Sequence, residues 1–286
     1  MIALENKNKI HSLDNPNFSI VSLADLLNEN SHLIENSDAV IHLAAKTHSS
    51  TKENKENIAE YKKINVELTR TICSLSIKHN IKKIIYLSSI KVNGEYSSKH
   101  GFHEEDKPRP NDIYGISKLE AENLIKYLCI GKATNYFIIR SPLVYGSRYK
   151  GNISLLIKII KLGLPLPLKN IKNKRSLIYI ENLNSALLSC LRDKKVINQT
   201  YLISDDESVS TPNLIIAIAN AMKKRIIIFS FPIYLLSFLA SLVKQTSKFD
   251  KLNNNLVVNN DKFKKDFKWS PPYTISEGIK KSFSRN

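Results

Sequence analysis

The stretch "YGISKLEAENLIKYL", residues 114–128, lies between two apolar runs. The order of these three segments along the chain decides the fold. The run "KKIIYLSSI" (82–90) precedes it and the run "NYFIIRSPLVYG" (135–146) follows it. Continuous apolar runs of this length are typical of strands buried on both faces of a parallel sheet, whereas 114–128 has the apolar spacing of a helix. The stretch therefore predicts a strand–helix–strand unit.

The same alternation extends to both sides of this unit. Strands are predicted in "FSIVSLADL" (18–26) and "DAVIHLAAKT" (38–47), and a helix in 60–80. A strand and a helix follow in 175–192, and one more strand in 199–205. Strands that alternate with helices favour an α/β fold, a doubly wound parallel sheet.

One apolar segment, "IIIFSFPIYLLSFLASLV" (226–243), could be mistaken for a membrane span. A span needs about 20 apolar residues, and this segment is interrupted by Pro232. We predict instead a strand up to Phe229, a break at Pro232 and then a buried helix, and therefore no membrane span.

The composition narrows the class of protein. The chain has 286 residues, 42% of them apolar, and a net charge of +17 that is spread along the whole sequence. A nucleic-acid-binding protein usually concentrates its basic residues in one stripe or arm, so we expect no nucleic-acid partner. The positive charge would still attract anionic ligands.

Cysteine and histidine usage indicates neither disulfides nor a metal site. Cys73, Cys129 and Cys190 are far apart in sequence, which fits a reducing compartment. No signal peptide is recognised at Met1, so we predict a cytoplasmic protein. The histidines show no metal-ligand spacing, and His42, inside an apolar strand, is interpreted as a core residue.

Polar residues gather where the predicted strands end. Ligands of doubly wound sheets bind beyond the carboxyl ends of the strands. Ser88 and Ser89 end one predicted strand, Tyr114 and Lys118 open the next helix, and 140–146 ends the strand after it. These groups are expected to converge on one crevice.

The spacing of Tyr114 and Lys118 suggests acid–base chemistry beside a hydride-carrying cofactor. Oxidising an alcohol needs proton transfer at oxygen, and a tyrosine with a pKa of about 10 is a poor base at neutral pH. Lys118, one helical turn away, would favour the phenolate, and Ser89 would orient the reacting oxygen. Each feature also has a simpler explanation: Tyr-x-x-x-Lys occurs by chance, and two serines at a strand end often form a turn or a helix cap.

Seven motifs, in this order, resemble the extended short-chain dehydrogenases/reductases, the NAD-dependent epimerase/dehydratase family acting on nucleotide sugars. They are "DAVIHLAA", "NVELTRTI", "YLSSIKVNGE", "YGISKLEAE", "RSPLVYG", "KRSLIYIENL" and "FKWSPPYTISEGIKK". The resemblance implies a Rossmann-like domain in 1–146 and 176–205 and a small α/β cap that binds the sugar nucleotide in 147–175 and 206–286. It also implies NAD or NADP as cofactor and a UDP-sugar as substrate.

The resemblance also assigns roles to individual residues. Ser89, Tyr114 and Lys118 would be the catalytic residues. The substrate would contact Ser89, Asn152 and Arg175, with the Arg175 guanidinium on the diphosphate. The cofactor would contact Asp25, Leu26, Leu43, Ala44, Ala45, Asn65, Ser88, Tyr114, Lys118 and Pro142.

Subfamily features leave two reactions open. The 4,6-dehydratases of the family carry Asp-Glu directly after the catalytic Ser or Thr, where this chain has Ile90 and Lys91, and many 4-epimerases have Asn where it has Leu143. The motifs look most like a branch of O-antigen and capsule (lipopolysaccharide) pathways. We therefore expect a reductase of UDP-4-keto-6-deoxy-N-acetylhexosamine, with a UDP-glucose or UDP-N-acetylglucosamine 4-epimerase as the alternative. Relatives often form homodimers through a four-helix interface, which here would involve 60–80 and 114–130.

The family's glycine-rich phosphate-binding turn has no counterpart in this sequence. The first glycine is Gly94, and Met1 aligns near the end of the family's second strand. Helix N-termini after such turns bind the cofactor pyrophosphate, so we expect this chain to bind the cofactor weakly or not at all. The alternatives are an incomplete reading of a working gene and a catalytically inactive, N-terminally truncated remnant.

Overall fold

The structure is a computed structural model that describes residues 2–5, 19–22, 34–47, 55–147, 151–195, 197–242 and 245–284. Asp25 and Leu26, predicted to contact the cofactor, lie outside the described residues. The backbone of Asn152 is described and its side chain is not.

The elements alternate as the sequence predicts. The strands are β1 (Ile2–Glu5), β2 (Ser19–Ser22), β3 (Ala39–His42), β4 (Lys83–Ser89), β5 (Asn135–Ser141), β6 (Leu143–Tyr145), β7 (Arg175–Tyr179), β8 (Gln199–Leu202) and β9 (Ser208–Val209). The α-helices are α1 (Lys55–Tyr61), α2 (Leu68–Lys78), α3 (Ile113–Leu128), α4 (Gly151–Leu162), α5 (Ile180–Arg192), α6 (Thr211–Ala221), α7 (Ile233–Leu242), α8 (Thr246–Asn253), α9 (Asp261–Phe267) and α10 (Ile275–Ser284).

The central sheet has four strands in the order β3-β4-β5-β8. β3 runs parallel to β4, with Ala39 opposite Lys83 and His42 opposite Tyr86. Ile84 and Ile85 are both buried, so successive side chains on opposite faces of β4 are covered. The predicted α/β class with a parallel central sheet is confirmed. β1 and β2 form a separate parallel pair.

The chain divides into two compact units, of which the first comprises 1–86, 117–137 and 197–199. Ile34 and Ile81 form a small buried cluster there. The helix predicted over 60–80 forms, but its middle, Lys62–Glu67, is a π-helix that buries Asn65. Short π-helical segments are frequent at functional sites.

The second unit comprises 87–116, 138–196 and 200–286, and it contains the sheet β6-β7-β9. β7 is parallel to β6 and antiparallel to β9. A large apolar cluster lies between this sheet and the helices α4, α6 and α10. The helix start expected at Thr211 is confirmed, and Ser210 caps it by accepting a hydrogen bond from the Asn213 amide at 3.3 Å. The predicted division into a Rossmann-like domain and a cap stays a prediction.

The segment 226–243 differs from its prediction. A helix begins after Pro232 as expected, but none of the residues of α7 is buried, and Tyr234 is 72% exposed. Up to Phe229 there is a single bridge, between Leu166 and Ile228, in place of a strand. The prediction of a buried helix was wrong. An apolar sequence shows that a helix favours an apolar environment, but it does not show whether the rest of the chain covers that helix. Within the described ranges, no helix combines the length and apolarity that crossing a bilayer requires.

Candidate active site

Ser88 and Ser89 end β4, the first strand of the strand–helix–strand unit, and both are buried. The Ser89 hydroxyl accepts a hydrogen bond from the Lys91 amide at 3.3 Å and caps the 3₁₀ turn Ile90–Val92. Ser89 therefore does act as the cap of a helical turn, as the simpler explanation of its position predicts. It uses one acceptor site, and a hydroxyl also has a proton to donate and a second lone pair.

The two residues after Ser89 provide no carboxyl group. Ile90 is buried in an apolar cluster, and the Lys91 ammonium forms ion pairs with Glu95 and with Asp112 at 3.3 Å. Asp112 also accepts a hydrogen bond from the Gly115 amide at 2.7 Å at the start of α3. Lys91 thus links the turn after β4 to the beginning of the helix that carries Tyr114.

Gly115 lets the first turn of α3 lie directly on this 3₁₀ turn. A Cβ atom at Gly115 would be 2.8 Å from the Lys91 carbonyl oxygen, which is closer than real Cβ atoms come, and 3.0 Å from Pro110 Cβ, which is unusually tight. Any larger residue would push the helix away. The neighbouring Tyr114, which is half-buried, is therefore held close to the backbone that follows Ser89.

Lys118 lies one turn after Tyr114 in α3 and is only 1% exposed. Its ammonium lies 4.0 Å from the centroid of the Tyr86 ring, a favourable cation–π arrangement. Burial lowers the pKa of Lys118 to about 7, although Glu122 acts in the opposite direction. A lysine with such a pKa exchanges its proton near neutral pH, as acid–base groups of active sites do.

The segment after β3 has the exposure expected of a ligand-facing strand end. Leu43 is 54% exposed and Ala44 is exposed, although both follow a strand of the central sheet. The buried Asn65 side chain fixes this segment: its Oδ1 accepts from the Lys46 amide at 2.7 Å and its Nδ2 donates to the Lys46 carbonyl at 3.1 Å. The same Nδ2 lies 2.8 Å from the Ser117 hydroxyl in α3. Asn65 thus ties the segment after β3 to the helix of Tyr114 and Lys118.

His42 is a core residue, as its position in an apolar strand suggests. Its Nε2 lies 2.9 Å from the Thr69 hydroxyl. Burial, with a smaller effect of Lys118, lowers the pKa of His42 to about 3, so the imidazole is neutral at physiological pH. Among the residues that the structure describes, no group of His, Cys, Asp or Glu side chains could hold a metal ion.

The predicted substrate-binding residue Arg175 opens β7 and is mostly enclosed. Its guanidinium donates to the Lys251 carbonyl at 3.2 Å. Burial lowers the pKa of Arg175, while Glu95 and Tyr96 raise it. Pro142, predicted near the cofactor, is buried between β5 and β6.

The sequence analysis missed an open cleft in the second unit. The cleft has a volume of about 660 Å³ and is lined by Asn170, Lys172, Asn173, Ile233, Tyr234, Asn253 and Asn255. Amide side chains suit hydroxyl-rich ligands, and a lysine suits an anionic group. The available signal was the density of asparagine in "LKNIKNK" (168–174) and "LNNN" (252–255).

The side chains at the ends of β3 and β4 and in α3 are chemically suited to a nicotinamide dinucleotide. Ser88 and Ser89 provide hydroxyl groups at the end of β4, Lys118 is a buried lysine of α3, and an exposed apolar segment follows β3. Apolar surface with a few placed polar groups is the usual lining of a cofactor site. The sequence shown supplies no glycine-rich turn for the phosphates.

The chain resembles known enzymes over most of its length. A UDP-glucose 4-epimerase of Vibrio cholerae is 34% identical over 251 residues, which are 87% of this chain and 76% of the relative. An Escherichia coli O157:H7 protein named N-acetyl-alpha-D-glucosaminyl-diphospho-ditrans,octacis-undecaprenol 4-epimerase is 26% identical, over 66% of this chain and 56% of the relative.

A solved structure shares the fold. The UDP-glucose 4-epimerase of Thermotoga maritima superposes with a TM-score of 0.77 at 19% identity, covering 99% of this chain and 89% of that chain. The model of the NAD dependent epimerase/dehydratase family matches residues 2–204. Together with the predicted motifs, this match confirms the resemblance: the chain belongs to the NAD dependent epimerase/dehydratase family.

Proposed function

We propose that this protein is an NAD(P)-dependent enzyme that transfers a hydride at C4 of a UDP-hexose. The observation that carries the proposal is the position of Tyr114 and Lys118 one turn apart in α3, with the Lys118 ammonium buried and its pKa near neutrality. A tyrosine and a lysine at this spacing can carry out proton transfer at a sugar hydroxyl.

Each residue has a defined task in this proposal. The Tyr114 hydroxyl takes the proton from the sugar O4 during oxidation and returns it during reduction. Lys118 favours the phenolate form of Tyr114 through its positive charge and contacts the cofactor ribose. The Ser89 hydroxyl donates a hydrogen bond to O4 and orients it. The nicotinamide, when bound, accepts or supplies the hydride at C4.

Elimination of water is disfavoured as the reaction. A 4,6-dehydratase of this family needs an acid and a base directly after Ser89, and the chain has Ile90 and Lys91 there. Ile90 is buried and Lys91 is engaged in ion pairs with Glu95 and Asp112. Neither side chain is suited to act as a carboxylic acid.

Two outcomes of the hydride transfer are supported by different observations. The Vibrio cholerae relative supports 4-epimerisation, in which the ketone turns over and the hydride returns to its other face. Leu143, in the place where many 4-epimerases carry Asn, supports the reduction of a UDP-4-keto-6-deoxy-N-acetylhexosamine; its side chain is exposed on β6. We rank 4-epimerisation first because the relative's similarity extends over most of the chain, and reduction second.

Product analysis separates the two reactions. The protein is incubated with UDP-glucose or UDP-N-acetylglucosamine and millimolar NAD, and separately with the 4-keto substrate and NADH or NADPH. We expect interconversion of the C4 epimers without net change of cofactor; net oxidation of NAD(P)H with the 4-keto substrate would identify the reductase. The absence of both reactions would contradict the proposal and favour the catalytically inactive alternative.

The biological setting and the assembly also stay proposals. The motifs and the name of the Escherichia coli relative support a role in making sugars for surface polysaccharides, such as O-antigen. A homodimer through the helices of 60–80 and 114–130 is supported by the exposed side chains of Tyr127, in the last turn of α3, and Ile130, just after it.

A further inference from the structure

The helix α7 exposes an apolar stripe. Tyr234, Phe238 and Leu242, at intervals of four residues, are 72%, 59% and 63% exposed. Leu235 and Leu239 lie beside this stripe and are also exposed. The sequence of α7, "IYLLSFLASL", contains no charged residue. Soluble proteins rarely leave such a helix face uncovered, so this surface indicates an interaction.

The apolar surface continues beyond the helix. The Leu166 amide donates to the Ile227 carbonyl at 2.8 Å, and the Phe229 amide donates to the Leu166 carbonyl at 3.0 Å. This pairing joins the segment before α7 to the segment after α4. Exposed apolar side chains lie before α7, at Ile227 and Phe229, and at and just after the end of α4, at Leu162 and Leu164. We call these residues, together with the exposed residues of α7, the apolar face.

Basic side chains flank the segments of the apolar face along the chain. Lys158 and Lys161 are exposed on α4, and 223–225 is an exposed Lys-Lys-Arg sequence just before Ile227. The sequence contains no Asp or Glu from Asn123 to Ile180 or from Ser208 to Phe249. The segments that form the apolar face are therefore basic and contain no carboxylate.

An apolar surface flanked by basic residues favours some binding partners over others. A second copy of the chain would bring the same basic rim against this one, and like charges would oppose the contact. An anionic bilayer surface offers both an apolar layer for the stripe and negative headgroups for the lysines. α7 has ten residues and a length of about 15 Å, so it is suited to lie in the plane of the interface, not to cross it.

We propose that the apolar face binds the surface of an anionic membrane, with α7 in the headgroup region and the basic rim on the lipid phosphates. The proposal is independent of the sugar-nucleotide reaction, because it does not involve Ser89, Tyr114 or Lys118 and its test needs no turnover.

Vesicle co-sedimentation tests this proposal. The protein is mixed with vesicles of phosphatidylglycerol and phosphatidylcholine in equal parts, and with vesicles of phosphatidylcholine alone. We expect binding to the anionic vesicles that weakens at high salt, and little binding to the neutral ones. Replacing Lys224 and Arg225 by Gln should weaken binding by about 30-fold, since each cation near the surface contributes roughly fivefold.

Two matched variants separate the apolar face from general surface effects. Leu239, in the face, and Leu188, on α5, have similar exposure, 49% and 47%. Leu239→Glu should weaken vesicle binding about tenfold or more, and Leu188→Glu should not. Both positions are exposed, so both variants should keep the wild-type melting temperature.

Three results would overturn the proposal. The first is a wild-type protein that does not bind anionic vesicles. The second is equal binding to neutral vesicles, or equal loss in Leu188→Glu and Leu239→Glu. The third is a concentration-dependent dimer that Leu239→Glu dissociates, with no vesicle binding, which would identify a second copy as the occupant.

Discussion

At the scale of single residues, burial determines how Lys118 behaves. The sequence places this lysine one turn from Tyr114, and the structure adds that it is enclosed with its ammonium over the Tyr86 ring. Desolvation is the largest cause of the lowered pKa. The group is therefore poised to change charge in the pH range in which the proposed chemistry takes place.

The lowered pKa of Lys118 predicts a pH-dependent stability. Below about pH 7 the lysine is protonated in the folded and the unfolded chain, and folding carries the full cost of burying the charge. Between about pH 7 and the pKa of an unfolded lysine, about 10.4, only the unfolded chain keeps the proton, so the unfolding free energy should rise with pH.

Denaturant unfolding tests this pH dependence. It is measured between about pH 6 and pH 10, which spans most of the range in which only the unfolded chain keeps the proton. Relative to Lys118→Met, the wild type should gain unfolding free energy on the order of a few kcal/mol as pH rises. Lys132→Met, at an exposed lysine of the same unit, controls for the change in net charge. Parallel curves for the wild type and Lys118→Met would show that Lys118 is not desolvated as described.

At the scale of elements, close backbone packing sets the positions of the helices. In α10, a Cβ atom at Gly278 would be 2.5 Å from the Tyr145 hydroxyl and 2.9 Å from Tyr179 Cγ. The Tyr145 hydroxyl in turn donates to Asp205 at 2.9 Å, and Asp205 accepts from the Tyr179 amide at 3.1 Å. The glycine thus allows α10 to lie directly on the β6–β7 pair.

Gly278→Ala should therefore destabilise the fold. Alanine favours a helix by up to about 1 kcal/mol over glycine, but overpacking at a buried site costs about 1–3 kcal/mol. We expect a lower unfolding free energy in thermal or denaturant unfolding. Ser276→Ala, at an exposed position of the same helix, should leave the unfolding free energy unchanged or raise it slightly. Equal stability of the two variants would mean that α10 does not pack as closely as described.

The sequence predicts elements well where local pattern and tertiary environment agree. The strands β3, β4 and β5 and the helix α3 follow from apolar runs and helical spacing, and all of them form as expected. The catalytic assignment of Ser89, Tyr114 and Lys118 stays a prediction that their positions at element ends support.

Other features depend on contacts that no local pattern encodes. The link from Asn65 to Lys46 and Ser117 joins residues that are distant in sequence, and the asparagine-lined cleft combines three separate segments. For α7 the apolar pattern is the same whether the helix is covered by protein or left exposed. Only the folded arrangement distinguishes these cases.

At the scale of the whole molecule, the net charge of +17 has two proposed consequences. It favours the approach of an anionic sugar nucleotide, and around the apolar face it favours an anionic membrane. Both effects should weaken with rising salt, because screening shortens the range of the attraction. Family membership and fold establish the kind of enzyme, and the reaction at C4 is the claim that remains to be measured.

The most direct test of that claim follows deuterium at C4 of the sugar. With UDP-glucose deuterated at C4, we expect UDP-galactose that keeps the deuterium at C4. With a 4-keto substrate, deuterium from labelled NAD(P)H should arrive at the same carbon. Tyr114→Phe should slow either reaction about a hundredfold to ten-thousandfold. Loss of the deuterium to solvent, or an unchanged rate in Tyr114→Phe, would contradict the account.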